Sequence, residues 1–187
     1  DNTATNGNRT TNTTTANTTV NTANSTNSMM NNSAVSNTNA ANSNVATVQD
    51  NFWMNAAESG MAEVELGKLA AQKATNAEVK KFAQMMVADH TKANDELKSL
   101  AAKNNVKLPT ELNSKHKSML EKLQGLSGAE FDRTYVEGQV EDHETAVDLM
   151  EDNIGNANAD IKAFATKSLP IMKSHLEMVK GIQGKMK

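Results

Sequence analysis

A chain of 187 residues with a formal net charge of −3 and only 3% aromatic content has room for one ordinary domain plus a tail. It holds no cysteine, which excludes disulfides, zinc–thiolate sites and thiol nucleophiles. No basic patch stands out, which argues against nucleic acid as a partner, and no apolar run approaches the ~18 residues of a membrane-spanning helix.

Residues 1–48 are about two-thirds Asn, Thr and Ser. Such a segment buries too little apolar surface to offset backbone ordering at ~1–2 kcal/mol per residue, so it reads as a disordered tail or spacer. Its Asn-x-Thr patterns, such as Asn8-Arg9-Thr10, arise by chance in so biased a stretch. The chain starts at Asp1 without Met, which leads us to expect a leader removed by processing. The folded domain is expected over 49–187.

From about Asn51 the pattern turns helical. A first helix is expected over about 50–74, with Phe52, Ala56, Gly60, Val64, Gly67 and Ala71 along one stripe. Thr75-Asn76-Ala77-Glu78 has the form of a capping box opening a second helix that runs to about 104. Pro109 is expected to open a shorter third helix ending near Gly125. Ser127-Gly128-Ala129-Glu130 suggests a second capping box and a fourth helix to about Ile154. The chain restarts between Asn156 and Ala159 as a fifth helix to about Ile182, with Pro170 expected to kink it. Short turns join the first two and the last two long helices, and the third is long enough to run back along them. The expected fold is all-α: a ferritin-like four-helix bundle with a shorter crossover helix. Asn76-Ala-Glu-Val-Lys-Lys-Phe-Ala83 is echoed by Asn158-Ala-Asp-Ile-Lys-Ala-Phe-Ala165, each at the start of the second helix of a pair.

The four histidines fall on inward stripes when residues are placed at 100° per position. His90 lies with Met86 and Leu97, His143 with Val140 and Val147, His175 with Met172 and Val179, and His116 with Met119 and Leu123. On the first helix the inward polar residue is Glu63, set among glycine and alanine. "MVADHTKA" at 86–93 and "QVEDHETA" at 139–146 share Val-x-Asp-His-x-x-Ala, which puts Asp89 and Asp142 beside histidines at the stripe edge.

Two readings follow. The histidines either satisfy core polar groups through carboxylates on neighbouring helices, or Glu63, His90, His143 and His175 hold a transition metal such as iron, zinc or copper, with Asp89 and Asp142 as supporting or alternative ligands. The positions three before the histidines are Val87, Asn113, Val140 and Met172, so the Glu-x-x-His of di-iron bundles is absent. Met86/His90, Met172/His175, His116/Met119 and His175/Met178 lie at helical contact spacing. Thioethers with imidazoles suit Cu(I), though Met also fills core gaps. No nucleophile motif or phosphate loop is present, so a non-catalytic structural, stress-related or interaction role is favoured over an enzyme. On the metal-free reading, the expected partners are Glu63 and Asp142 for His90, and Asp89 for His143.

"SGMAEVELGKLAAQKATNAEVKKFAQMMVADHTKANDELKSLA" (59–101), "LSGAEFDRTYVEGQVEDHETAV" (126–147) and "IKAFATKSLPIMKSH" (161–175) resemble a widespread bacterial family. It comprises exported ferritin-like domains of unknown function, often labelled predicted outer membrane proteins, and the resemblance covers about 50–182. It implies a ferritin-like bundle, export to the periplasm or cell surface, and no established activity. It picks out Glu63, Asp89, His90, Asp142, His143 and His175. Attachment to the cell envelope through the tail and homo-oligomerisation are compatible with it. Because residues 1–48 lack apolar periodicity, deleting them is expected to leave the melting temperature within about 2 °C. A larger loss in a thermal melt would show that the tail packs on the bundle.

Overall fold

The computed structural model describes the backbone of residues 38–186 and the side chains of residues 51–186. Five helices follow one another: α1 (Thr38–Lys73), α2 (Ala77–Lys103), α3 (Ser114–Gly125), α4 (Gly128–Asn153) and α5 (Ala159–Lys185). Among the described residues there is no strand, and no helix is long and apolar enough to cross a membrane.

Some boundaries differ from expectation. α1 begins at Thr38, so residues 38–48, counted with the tail, form its first turns. Once a helix exists, each added residue gains a backbone bond, and Ala40, Ala41 and Ala46 favour that extension. A deletion that tests the tail alone therefore ends before residue 38. The rest of the tail lies outside the described residues.

α2 is capped by Asn76 rather than Thr75: the Asn76 side chain accepts from the backbone N–H groups of Glu78 and Val79 at 2.8 and 3.3 Å. α5 starts the same way, with Asn158 accepting from Asp160 and Ile161, so the echoed Asn-Ala strings are matching caps. Pro109 precedes α3 without opening it. Asn113 is the cap, accepting from the His116 N–H at 3.0 Å while its own amide donates to Glu58 at 2.8 Å. Ser127 sits at the N-cap of α4 but makes no side-chain cap bond, and Gly128 beside it takes φ +60°, which glycine enters without strain. α5 continues through Pro170, which has no N–H for the Thr166 carbonyl.

α1 packs chiefly on α2 and α4 chiefly on α5; the two hairpins then meet through α1 with α4 and α2 with α5. Close approach within the first hairpin relies on small residues, and a Cβ on Gly67 would stand 3.2 Å from the Ala83 carbonyl oxygen. The crossover containing α3 brings the chain back to the α1–α2 turn. There Lys73 donates to the Leu123 and Gln124 carbonyls at the end of α3. Asp132 near the start of α4 accepts from the Thr75 N–H at 3.1 Å, the Thr75 hydroxyl at 2.6 Å and the Asn76 N–H at 2.8 Å. At the opposite end Asn158 donates to Asn104, which in turn donates to Asp160. Hence α4 runs antiparallel to α1 and α5 antiparallel to α2, a path with one long crossover.

The core has two apolar clusters. One, near the α1–α2 turn, contains Leu66, Phe82, Met86, Phe131, Tyr135 and Val179. The other contains Phe52, Trp53, Leu97, Met150, Ile161 and Phe164. Between them, in sequence and in space, lie the histidines of α2, α4 and α5.

Asp132 is buried and joins the two hairpins, so Asp132→Ala removes the one acceptor that ties the Thr75 and Asn76 donors to α4. It is expected to cost about 3 kcal/mol in a urea melt. Removing the exposed Lys185–Glu78 ion pair by Lys185→Ala is expected to cost under about 1 kcal/mol.

Candidate metal centre

The hydrophobic periodicity of α2, α4 and α5 turns one imidazole from each into the middle of the bundle. His90 is 5%, His143 1% and His175 3% exposed. Their rings form a nearly equilateral triangle, with centroids 5.7 Å apart for His90–His143, 5.6 Å for His90–His175 and 5.5 Å for His143–His175. One ring nitrogen from each lies within 4.8 Å of the other two.

Outer bonds on two of the rings fix which of their nitrogens keeps a free lone pair. His143 Nδ1 is 2.9 Å from the Gln139 carbonyl oxygen, one turn earlier on α4. A carbonyl only accepts, so Nδ1 carries the proton and Nε2 keeps its lone pair. His175 Nε2 is 3.0 Å from the Asp89 carboxylate of α2, which leaves the lone pair on Nδ1. His143 Nε2, His175 Nδ1 and His90 Nε2 are all buried without a hydrogen-bond partner. An unpartnered buried polar atom costs about 1–3 kcal/mol, and three side by side in an apolar core are unusual.

The surroundings keep the rings neutral. Burial, then the neighbouring His143 and His175, push the His90 imidazole down to about 3. Burial pushes His143 down to about 4, against the raising effect of the Gln139 carbonyl. His175 is lowered by burial, and Asp89 partly offsets this. Near pH 7 the centre therefore presents three uncharged imidazoles, the form that ligates metals.

Glu63 stands behind this triangle. Its carboxylate is 3.7 Å from His143 Nδ1, on the side of the ring that already donates to Gln139. Burial first, and the charge of Asp142 second, raise Glu63 to about 8, while the Gln139 side chain lowers it. Glu63 Oε2, the Gln139 amide and the Tyr135 hydroxyl are likewise buried without hydrogen-bond partners. Gln139 and Tyr135 were absent from the sequence-based candidates. Their positions one and two turns before His143 on its own stripe are the signal that could have found them.

The carboxylates pair differently from the expectation. Asp142 does not reach His90. It lies 2.9 Å from Lys115 and 3.8 Å from His116, where α3 crosses α4. Burial works against its ionisation, but His116 and Lys115 outweigh that and hold it below the usual carboxylate range. Asp89 bonds His175 rather than His143. The fourth inward histidine, His116, is buried as expected but belongs to this separate contact on α3.

Comparisons with known proteins agree with the fold. The family described as "Domain of unknown function (DUF4142)" matches residues 34–182. A crystal structure of a DUF305 fragment from Deinococcus radiodurans superposes with a TM-score of 0.66 at 10% identity, covering 74% of this chain and 96% of that one. A DUF305 protein from Streptomyces coelicolor, described as a putative secreted protein, gives a TM-score of 0.59 at 12% identity, covering 73% and 93%. At such identities the likeness is one of fold. No curated protein sequence matches the chain.

The buried ionisations give the metal-free protein a two-sided pH dependence. An unfolded histidine takes up a proton near 6.5, whereas folded His90 and His143 do so only near 3 and 4. Protons therefore favour the unfolded chain, and stability falls as pH drops from 6.5 through those values. Glu63 acts in the opposite sense: its contribution is full below its ordinary value of 4.5 and is lost as pH rises through about 8. Melting temperature against pH in a chelating buffer should show both slopes. Glu63→Gln should flatten the alkaline one and His90→Leu should reduce the acid one.

Proposed function

The chain belongs to the DUF4142 family of domains of unknown function, and from that premise we propose that it is a ferritin-like metal-binding bundle holding a transition-metal ion on His90, His143 and His175. The observation that carries this reading is the set of three inward, partnerless ring nitrogens on three different helices. Two of those rings are oriented by outer hydrogen bonds in the manner of metal-ligating histidines. A purely structural role needs carboxylates facing the inner nitrogens, but Asp89 and Asp142 are engaged elsewhere.

Three neutral imidazoles suit zinc and copper, and iron less strongly. Bonds of ~2.0–2.1 Å in a tetrahedral set place the nitrogens ~3.4 Å apart, so nitrogens within 4.8 Å of one another would close by up to ~1.4 Å. Such a shift lies within the reach of rings held on separate helices. Glu63 supports His143 from behind rather than joining the triangle, and it supplies a negative charge when it ionises. With no Glu-x-x-His, and with Glu63 and Asp89 both set against the outer ring nitrogens, the centre serves binding rather than di-iron oxidation. Export is part of the same reading, supported by the description of the Streptomyces protein as a putative secreted one.

Thermal melts with added Zn²⁺ or Cu²⁺ test this. A rise of roughly 5–10 °C is expected at a hundredfold excess over Kd, growing with concentration. His90→Gln, His143→Gln and His175→Gln should each abolish it, whereas His116→Gln should leave it in place. A melt insensitive to metal, or a rise that survives all three substitutions, would return the histidines to a structural role.

A further inference from the structure

α5 buries one apolar side against the core, and a second regular row of residues runs along its outer side. Lys167, Ile171, Ser174, Met178, Gly181 and Lys185 are all exposed. Their spacing alternates between four and three residues, the 3.5-residue repeat of a coiled-coil seam. Ile171 and Met178, each 41% exposed, are two of the three large hydrophobic side chains that stand out in solvent among the described residues. Beside Met178 and Gly181 this face opens into a groove of about 310 Å³ against α2, lined also by Phe82, Met85 and Ile182. A Cβ on Gly181 would meet nothing within 4 Å. Packing inside the chain therefore gives no reason for a glycine there, although glycine weakens a helix interior.

The order of the residues says what fits against them. Turned end for end about its middle, the row sets Ile171 opposite Gly181 and Met178 opposite Ser174. Each large side chain then meets a small one, as in the mixed a and d layers of two antiparallel helices. A two-fold interface requires this kind of self-complementarity. The charges agree with it. Lys167 pairs with Glu96 and Lys185 with Glu78, so the two ends of the row carry no net charge to repel a second copy. From Lys167 to Lys185 the row runs ~27 Å. An interface of that length lies near the low end of specific contacts, ~1,200 Å² in total, which makes the association weak.

We propose that this face of α5 binds the same face of a second copy of the chain in antiparallel fashion, with Ile171 of each copy seated over Gly181 of the other. The inference does not depend on the metal-binding reading, because none of the three histidines lies in the row.

Sedimentation equilibrium of the full chain over roughly 5–500 µM should show the mass rising from 20.1 kDa toward twice that value. Ile171→Glu and Met178→Glu each put a charge into the seam and should weaken association at least about tenfold. Both positions are exposed, so the melting temperature of each variant in dilute solution should stay within about 2 °C of the unaltered chain. The chain has no cysteine, so single Ser174→Cys and Met178→Cys chains, mixed and oxidised, report the direction of pairing. The mixed disulfide should exceed its statistical share over the two homodisulfides. A chain that stays monomeric across the concentration range overturns the proposal. If Met178 then also resists oxidation by dilute peroxide, a segment of the same chain covers the face instead. Association undiminished in both glutamate variants overturns the α5 face as its location, and homodisulfides in excess overturn the antiparallel order.

Discussion

One costly arrangement sits in the middle of the bundle: three imidazole nitrogens in an apolar core with nothing to bond to. Each sits between the two hydrophobic clusters, so the helices bury their largest side chains above and below a polar layer rather than through it. The outer bonds to the Gln139 carbonyl and the Asp89 carboxylate do not relieve the inner nitrogens. They hold the His143 and His175 rings so that one nitrogen of each stays without a partner. Desolvation then lowers all three imidazoles and raises Glu63, and the layer becomes a set of neutral groups around a point where charge is missing. A cation at that point would reverse much of this penalty at once.

Much of this was legible in the sequence because helical periodicity reports direction. It placed His90, His116, His143 and His175 inward, and all four are buried. It put Glu63 inward, and Glu63 is buried. What periodicity does not report is height between helices that are far apart in sequence. The sequence offered Glu63 and Asp142 to His90, and Asp89 to His143. The actual neighbours, Glu63 with His143 and Asp89 with His175, depend on how the second hairpin slides along the first. That offset is set by Asp132 at one end and Asn104–Asn158 at the other. The same limit explains Asp142, whose partner is decided by where α3 crosses. Local competition accounts for the misplaced starts of α2 and α3: an Asn side chain with the right reach displaced Thr75 and Pro109 as the opening residue.

The DUF305 structures share the bundle at about a tenth of the residues, so the architecture tolerates wide sequence change. A bundle of this kind needs only apolar stripes, small residues at close approaches and capped ends. The histidine layer is not needed for any of these. Three buried imidazoles and a buried glutamate are more expensive than leucines would be, which sets them apart from the residues that make the fold.

Asp132 has a consequence for the order in which the chain assembles. Its bonds to Thr75 and Asn76 join positions more than fifty residues apart, and the Asn104–Asn158 bond does the same at the far end. Within each hairpin, by contrast, the helices meet through turns of a few residues. Local pairing closes small loops and precedes contacts that must close large ones. Each hairpin is thus an early unit, and the clasp between them is late. His90 belongs to the first unit, His143 and His175 to the second, so the triangle does not exist until the clasp closes. An ion that spans it would act on the docking of two preformed halves, slowing their separation more than it speeds the folding of either.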